Sequence, residues 1–147
     1  MEEATKYVIN KAIELQINKT FAEQLSEHFI DPQFLYDFSC VSDYIGLTKE
    51  YLIKHIIKNK KDHKWIHQPG FKYEISESTY IDGKIDNNVF GSLDIIICLC
   101  AFIDTEKSKQ FSEYCDETRK YLFTNAEKYD IPGLNPDDVR FYVYGFL

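Results

Sequence analysis

The amino-acid sequence predicts an α+β fold, predominantly helical, with a helix-turn-helix-like core and a small β-hairpin or wing. Three observations carry this. Apolar residues recur at spacings of three and four over much of the chain, the period of helices with one buried face. Two helical stretches, 40–47 and 48–59, meet at a short Gly46-Leu47-Thr48 junction. An Asp82-Gly83 pair sits between apolar residues in Tyr80-Ile81-Asp82-Gly83-Lys84-Ile85, a signal for a two-residue hairpin turn.

Residues 2–17 form an amphipathic helix with Ala4, Tyr7, Val8, Ala12 and Leu15 along one stripe. A second helix, about 19–29, aligns Phe21, Leu25 and Phe29. It stops at Asp31-Pro32, because the residue before a proline avoids the helical region. Residues 33–40 are short and aromatic and suit a strand. Thr48 is placed to cap the helix over 48–59, its hydroxyl accepting an orphan backbone N–H, and Glu50 suits the positive end of that helix. Lys60-Lys61-Asp62 reads as a polar turn, Lys64-Trp65-Ile66-His67 as a strand and Pro69-Gly70 as a turn. The hairpin follows, and Asp86-Asn87-Asn88 reads as loop.

Ser92 is a natural N-cap for an apolar helix over 92–103, with Asp94 in its first turn. That stretch is apolar on nearly all sides, which suits a central buried helix, although its three consecutive isoleucines also fit a buried strand. Asp104 or Thr105 then caps a long helix to about Lys128, with Phe111, Tyr114, Cys115, Thr118, Tyr121, Leu122 and Ala126 on one stripe. Pro132-Gly133 ends this region and Pro136-Asp137-Asp138 reads as a turn. The tail, VRFYVYGFL, is aromatic and β-prone, so an edge strand or a partner-binding segment is expected. The organisation is one domain over 1–147: N-terminal helices in 1–30; strand, helix-turn-helix and hairpin in 33–90; two core helices in 92–129; an aromatic tail in 130–147.

With 44% hydrophobic and 16% aromatic residues in 147, the chain has core material enough to fold without a disulfide or metal. Cys40, Cys98, Cys100 and Cys115 read as reduced, structural thiols of an intracellular protein. The N-terminus is charged and amphipathic rather than secretory, and Cys98 and Cys100 lie inside an apolar run. That run, Leu93 to Ile103, contains Asp94 and is too short to span a bilayer, so no membrane association is expected.

The net charge of −7 disfavours nonspecific nucleic-acid binding when taken as a mean. Its distribution is uneven. Residues 49–72 hold seven lysines (Lys49, Lys54, Lys58, Lys60, Lys61, Lys64 and Lys72) against Glu50 and Asp62, a net of +5 that leaves −12 for the remainder. Lys54, Lys58 and Lys61 share one helix face, continued by Lys60 and Lys64, with Ile53, Ile56 and Ile57 opposite. Such a row can follow a phosphate backbone, releasing one counterion per phosphate neutralised. Lysine positions a protein on nucleic acid without reading bases bidentately, and only Asn59 and Gln68 nearby could reach base edges. A solvated helix face is the plainer account of the same spacing.

Cys40, His55, His63 and His67 have no spacing of a compact zinc module. No CxxC, G-x-S-x-G, P-loop, GxGxxG or HExxH motif occurs, and the paired aspartates lie in turn-like contexts. No catalytic residue, metal or cofactor is therefore expected.

Several stretches taken together resemble the MSV-type domain of large DNA viruses (entomopoxviruses, iridoviruses and relatives), which belongs with the KilA-N, Bro and phage antirepressor modules. Phe34-Leu35-Tyr36-Asp37-Phe38 and Val41-Ser42-Asp43-Tyr44-Ile45-Gly46-Leu47 look like the family's strand and first helix. Thr48 to Lys58, then Lys61-Asp62-His63-Lys64-Trp65, are similar to its basic helix and the entry into a strand. Ser92 to Cys100, Asp104-Thr105-Glu106-Lys107-Ser108-Lys109 and a helix closing at Glu127-Lys128-Tyr129 resemble its apolar helix, "T-x-K" turn and closing helix. The likeness covers about 20–129. It implies a non-catalytic viral nucleic-acid-binding domain, acting inside the infected host cell, in cytoplasm or nucleus. Lys49, Lys54, Lys58, Lys60, Lys61 and Lys64 would contact the phosphates of DNA or RNA. The chain departs from the family in its acidity, in its aromatic tail and in being too short for the second, nuclease-like domain of some relatives. The alternative is a non-catalytic protein–protein interaction or structural protein of a large DNA virus, bound to a viral or host protein or forming a homo-oligomer through the tail.

Overall fold

A computed structural model describes residues 2–62, 71–81, 84–129 and 134–144. The fold is α+β and mostly helical, in the order α1 (Glu2–Leu15), α2 (Lys19–His28), β1 (Tyr36–Asp37), α3 (Ser39–Ile45), α4 (Lys49–Asp62), β2 (Tyr73–Ile81), β3 (Lys84–Gly91), α5 (Leu93–Ile103), α6 (Glu106–Tyr129) and α7 (Pro136–Val139). A π-helical segment, Arg140–Tyr144, ends the described chain. The chain divides into two compact units, one of Pro32–Ser112 and one that joins Met1–Asp31 to Glu113–Leu147.

The central unit holds an antiparallel sheet in the order β1-β3-β2. The pairing Ile81↔Lys84 leaves two residues between β2 and β3, as the Asp82-Gly83 signal requires; those two lie outside the described residues. Gly91 pairs with Tyr36 on one side and with Tyr73 on the other. The next residue extends this join, since the Ser92 N–H donates to the Lys72 carbonyl (2.8 Å) and the Ser92 Oγ accepts the Lys72 N–H (3.3 Å). Ser92 thus stands at the N-cap position of α5, but its hydroxyl serves the strand and makes no cap hydrogen bond. Behind the sheet, Tyr36, Phe38, Val41, Val89, Ile95, Ile96 and Leu99 are buried.

α5 is a helix rather than the competing strand. It is not enclosed on all sides: Leu93, Ile95, Ile96, Leu99 and Cys100 are buried, whereas Phe102 is 44% exposed. Asp104 ends it in the left-handed region (φ 63°), a conformation its short polar side chain tolerates. Thr105 then opens α6 with reciprocal hydrogen bonds. Its Oγ1 accepts the Ser108 N–H (3.1 Å), and Ser108 Oγ accepts the Thr105 N–H (2.8 Å). The Ser112 hydroxyl donates to the Ile97 carbonyl, fixing the start of α6 against α5.

In the other unit, α1 packs on α2, and Ala4, Val8, Ala12, Ile17, Phe21, Ala22 and Leu25 are buried. The Tyr114 hydroxyl donates to the Val8 carbonyl at 2.9 Å, and the Phe29 ring meets Phe123 edge-on at 5.1 Å. Of the stripe read for α6, only Tyr121 is half-buried; the rest is buried.

Four readings are corrected. Lys60-Lys61-Asp62 is not a turn but the last turn of α4, because lysine is a good helix former and nothing before Asp62 breaks the hydrogen-bond ladder. Asp86-Asn87-Asn88 is not loop: it pairs with Thr79, Glu77 and Ser76, the long hairpin overriding weak strand propensity, with a register shift between Glu77 and Thr79. Pro136-Asp137-Asp138 begins a short helix, since Asn135 caps it by accepting the Asp137 N–H (2.9 Å) and Pro136 suits the first position. The described part of the tail, Pro136–Tyr144, is helical instead of an edge strand. Its Tyr142 ring stacks on Phe123 at 5.0 Å and lies 3.9 Å under the Arg119 guanidinium, contacts that a helical turn supplies. The strand read at Lys64–His67 and the breaks at Pro69-Gly70 and Pro132-Gly133 fall outside the described residues.

Gly91 generates a prediction. A Cβ there would lie 2.8 Å from two carbons of the fully buried Phe38 ring, which has no room to retreat. Gly91→Ala should therefore cost about 1–3 kcal/mol of stability. Urea unfolding measures this; an unchanged midpoint would show that Phe38 is not wedged against the strand.

Candidate nucleic-acid interface

α3 and α4 are joined by Gly46-Leu47-Thr48. Gly46 takes the left-handed conformation (φ 73°) that a side chain would disfavour, and its N–H donates to the Ser42 carbonyl at 3.0 Å. The Ser42 hydroxyl donates across the turn to the Leu47 carbonyl. Thr48 caps α4 as expected, its Oγ1 accepting the Tyr51 N–H at 3.2 Å. Leu52 and Ile56, one turn apart and both fully buried, set the inward direction of α4 against β3 and α5.

That direction fixes where the lysines go. At about 100° per residue, Lys54 and Lys58 fall on the side opposite Leu52 and Ile56, and both are exposed. Lys61 continues the row by position, one turn further on. Lys49 and Lys60 lie more than a quarter-turn off the row by the same geometry, and Lys49 is half-buried. The side chains of Lys60 and Lys61, and all of Lys64, are outside the described residues. The structure therefore brings Lys54 and Lys58 together and sets Lys49 apart from them. The expectation that Ile57 lies on the inner face is corrected: it is 57% exposed, because it sits about 100° beyond Ile56, while Ile53 is half-buried at the flank.

Sequence reasoning missed an aromatic row beside these lysines. The rings of Tyr51 and His55 are 4.5 Å apart, and His55 is 6.1 Å from Phe102 of α5. Tyr51 and His55 are four apart on one helix, a signal visible in the sequence. Phe102 could be added only once α5 was packed against α4. The Nδ1 of His55 is buried and makes no hydrogen bond. Burial holds its pKa below the ordinary value of 6.5, and the nearby Lys58 charge acts in the same direction.

Elsewhere the chemistry is quiet. All four cysteines are free thiols. Burial pushes Cys40 and Cys100 up to about 12, helped for Cys40 by the Asp37 carboxylate and for Cys100 by Cys40, so neither is a ready nucleophile. Among the described residues no group of three or more His, Cys, Asp and Glu stands together to hold a metal ion. Nor, among them, is any helix long and apolar enough to cross a membrane.

A pH dependence follows from His55. Its folded-state pKa is depressed, so the unfolded chain takes up the proton first as pH falls. The stability linked to neutral His55 is present above about pH 6.5 and is lost as pH drops through the lower folded value. His55→Phe should remove this loss, so the urea midpoints of the two proteins should diverge as pH falls from about 7 to about 5. A difference independent of pH would exclude His55 as the titrating group.

No family model, no curated protein and no solved structure matches this chain.

Proposed function

We propose that this protein is a non-catalytic nucleic-acid-binding domain of the viral type the sequence resembles, with α3 and α4 as a helix-turn-helix that meets phosphates through α4. The observation that carries the reading is the exposed pair Lys54 and Lys58, one turn apart on the outer face of the second helix of that pair. Lys61 extends the row by position, and Lys49, Lys60 and Lys64 supply further positive charge along the same segment.

The charge of the two units supports this. Pro32–Ser112 carries ten lysines against eleven acidic residues, a net of −1, so the other unit holds −6 of the total −7. The lysine segment belongs to a nearly neutral unit. At physiological ionic strength, exposed charges more than about 8 Å apart are largely screened, so contact with a phosphate is governed by the local lysines and not by the mean charge.

Lys54→Glu with Lys58→Glu should abolish binding of a labelled oligonucleotide at low salt, measured by gel shift or anisotropy. The unaltered protein should show a log–log salt slope on the order of −3 or steeper, from about three phosphate contacts. Folded protein that shifts neither duplex nor single-stranded DNA at low salt would overturn the reading.

A second reading, an interaction or structural protein of a large DNA virus, draws on the exposed apolar side chains Ile13 and Phe141. Light scattering tests it. An oligomer that Phe141→Asp converts to monomer would support assembly through the tail, and a monomeric unaltered protein would remove it.

A further inference from the structure

The aromatic row beside the lysines is not needed for following a duplex backbone, and it has its own chemistry. Tyr51 is 41% exposed and Phe102 is 44% exposed, on either side of His55. Lys54 follows Tyr51 by three residues on α4, and Lys58 follows His55 by three, so each ammonium stands one helical turn from a ring. The described exposed face of α4 thus offers the two lysines, one carboxylate (Glu50, a turn before Lys54) and apolar or aromatic surface, with no arginine to grip a base edge bidentately.

A duplex hides the faces of its bases and presents phosphates and edges. It would meet Tyr51 and Phe102 with polar surface and gain little. An unpaired strand presents phosphates and open base faces together, the two chemistries this patch supplies. Every base has a π-face, so stacking of this kind tolerates any sequence, which matches a surface short of base-reading side chains. His55, neutral at physiological pH, adds a third ring without adding a charge.

We propose that the ligand of this face is single-stranded nucleic acid, with bases stacked on Tyr51 and Phe102 and the backbone held by Lys54 and Lys58. The proposal rests on the nucleic-acid reading above. DNA and RNA single strands share the chemistry, and separate probes distinguish them.

The test uses the full chain with three fluorescent probes of about 20 nucleotides: oligothymidylate, oligouridylate and a mixed-sequence duplex. At least one single strand should bind about tenfold or more tightly than the duplex. Tyr51→Ala with Phe102→Ala should weaken that strand by about tenfold or more while leaving the duplex within about twofold. Tyr51→Phe, which keeps the ring, should retain affinity. An oligonucleotide carrying 5-iodouracil should photocross-link to Tyr51 or Phe102, located by mass spectrometry. Both substituted side chains are exposed, and thermal unfolding confirms that the variants fold. Duplex bound as tightly as the better-bound single strand would overturn the stacking proposal. So would an alanine pair that leaves single-strand affinity unchanged while the Lys54→Glu, Lys58→Glu protein loses it; the phosphate reading would then stand alone. Failure of all three probes to bind would overturn both.

Discussion

The central unit depends on the junction at Gly91 and Ser92. Gly91, like Phe90 before it, pairs to both neighbouring strands, and the absence of a Cβ at Gly91 lets the Phe38 ring press against the strand. Ser92 then ties the chain to Lys72 by two hydrogen bonds before α5 begins. Three constraints converge within two residues: the sheet closes, the aromatic core seats, and the direction of α5 is set. Phe102 reaches the neighbourhood of His55 because α5 leaves the sheet at this point and runs beside α4.

The orientation of α4 rests on that arrangement. Fully buried Leu52 and Ile56 fill the space between α4, β3 and α5, and a fully buried aliphatic side chain contributes about 1.5–3 kcal/mol relative to exposure. A surface lysine contributes far less to stability. Packing on the inner face therefore decides which face of α4 is outward, and the lysines take what remains. The same reasoning explains the error over Ile57. Ile53, Ile56 and Ile57 could share one helix face, but buried Leu52 and Ile56 centre the inner face between themselves, which leaves Ile57 about 120° away from it and exposed.

Long-period features were legible in the sequence and tertiary ones were not. Hydrophobic spacing placed α1, α2, α5 and α6, and the Thr48 cap and the Asp82-Gly83 hairpin signal were local chemistry that the neighbouring residues confirm. Asp86-Asn87-Asn88 was misread because strand pairing over a long hairpin is a cooperative property that single-residue propensity does not contain. The tail was misread for a similar reason. Its residues favour strand, yet no free strand edge outweighs the stacking of Tyr142 on Phe123 beneath Arg119 in the unit described here. Of the candidate site, the lysine row was visible as a spacing of four, whereas the ring from α5 was not, because it comes from a residue more than forty positions away in the chain.

Exposed apolar side chains taken singly are ordinary, since more than half of a folded surface is contributed by apolar atoms. What distinguishes this face is coincidence. Tyr51 and Ile57 of α4 are exposed beside Lys54, Lys58 and Glu50 on the same helix, Phe102 of α5 is exposed next to His55, and the unit as a whole is nearly neutral. An apolar patch with no charge would favour association with another apolar surface, and a lysine face with no rings would favour water and counterions. The two together suit a ligand that is both anionic and flat-faced, and that combination is rarer in proteins than in unpaired nucleic acid. The local composition of α4 and the end of α5, more than the net charge of the chain, therefore sets the chemistry this surface can recognise.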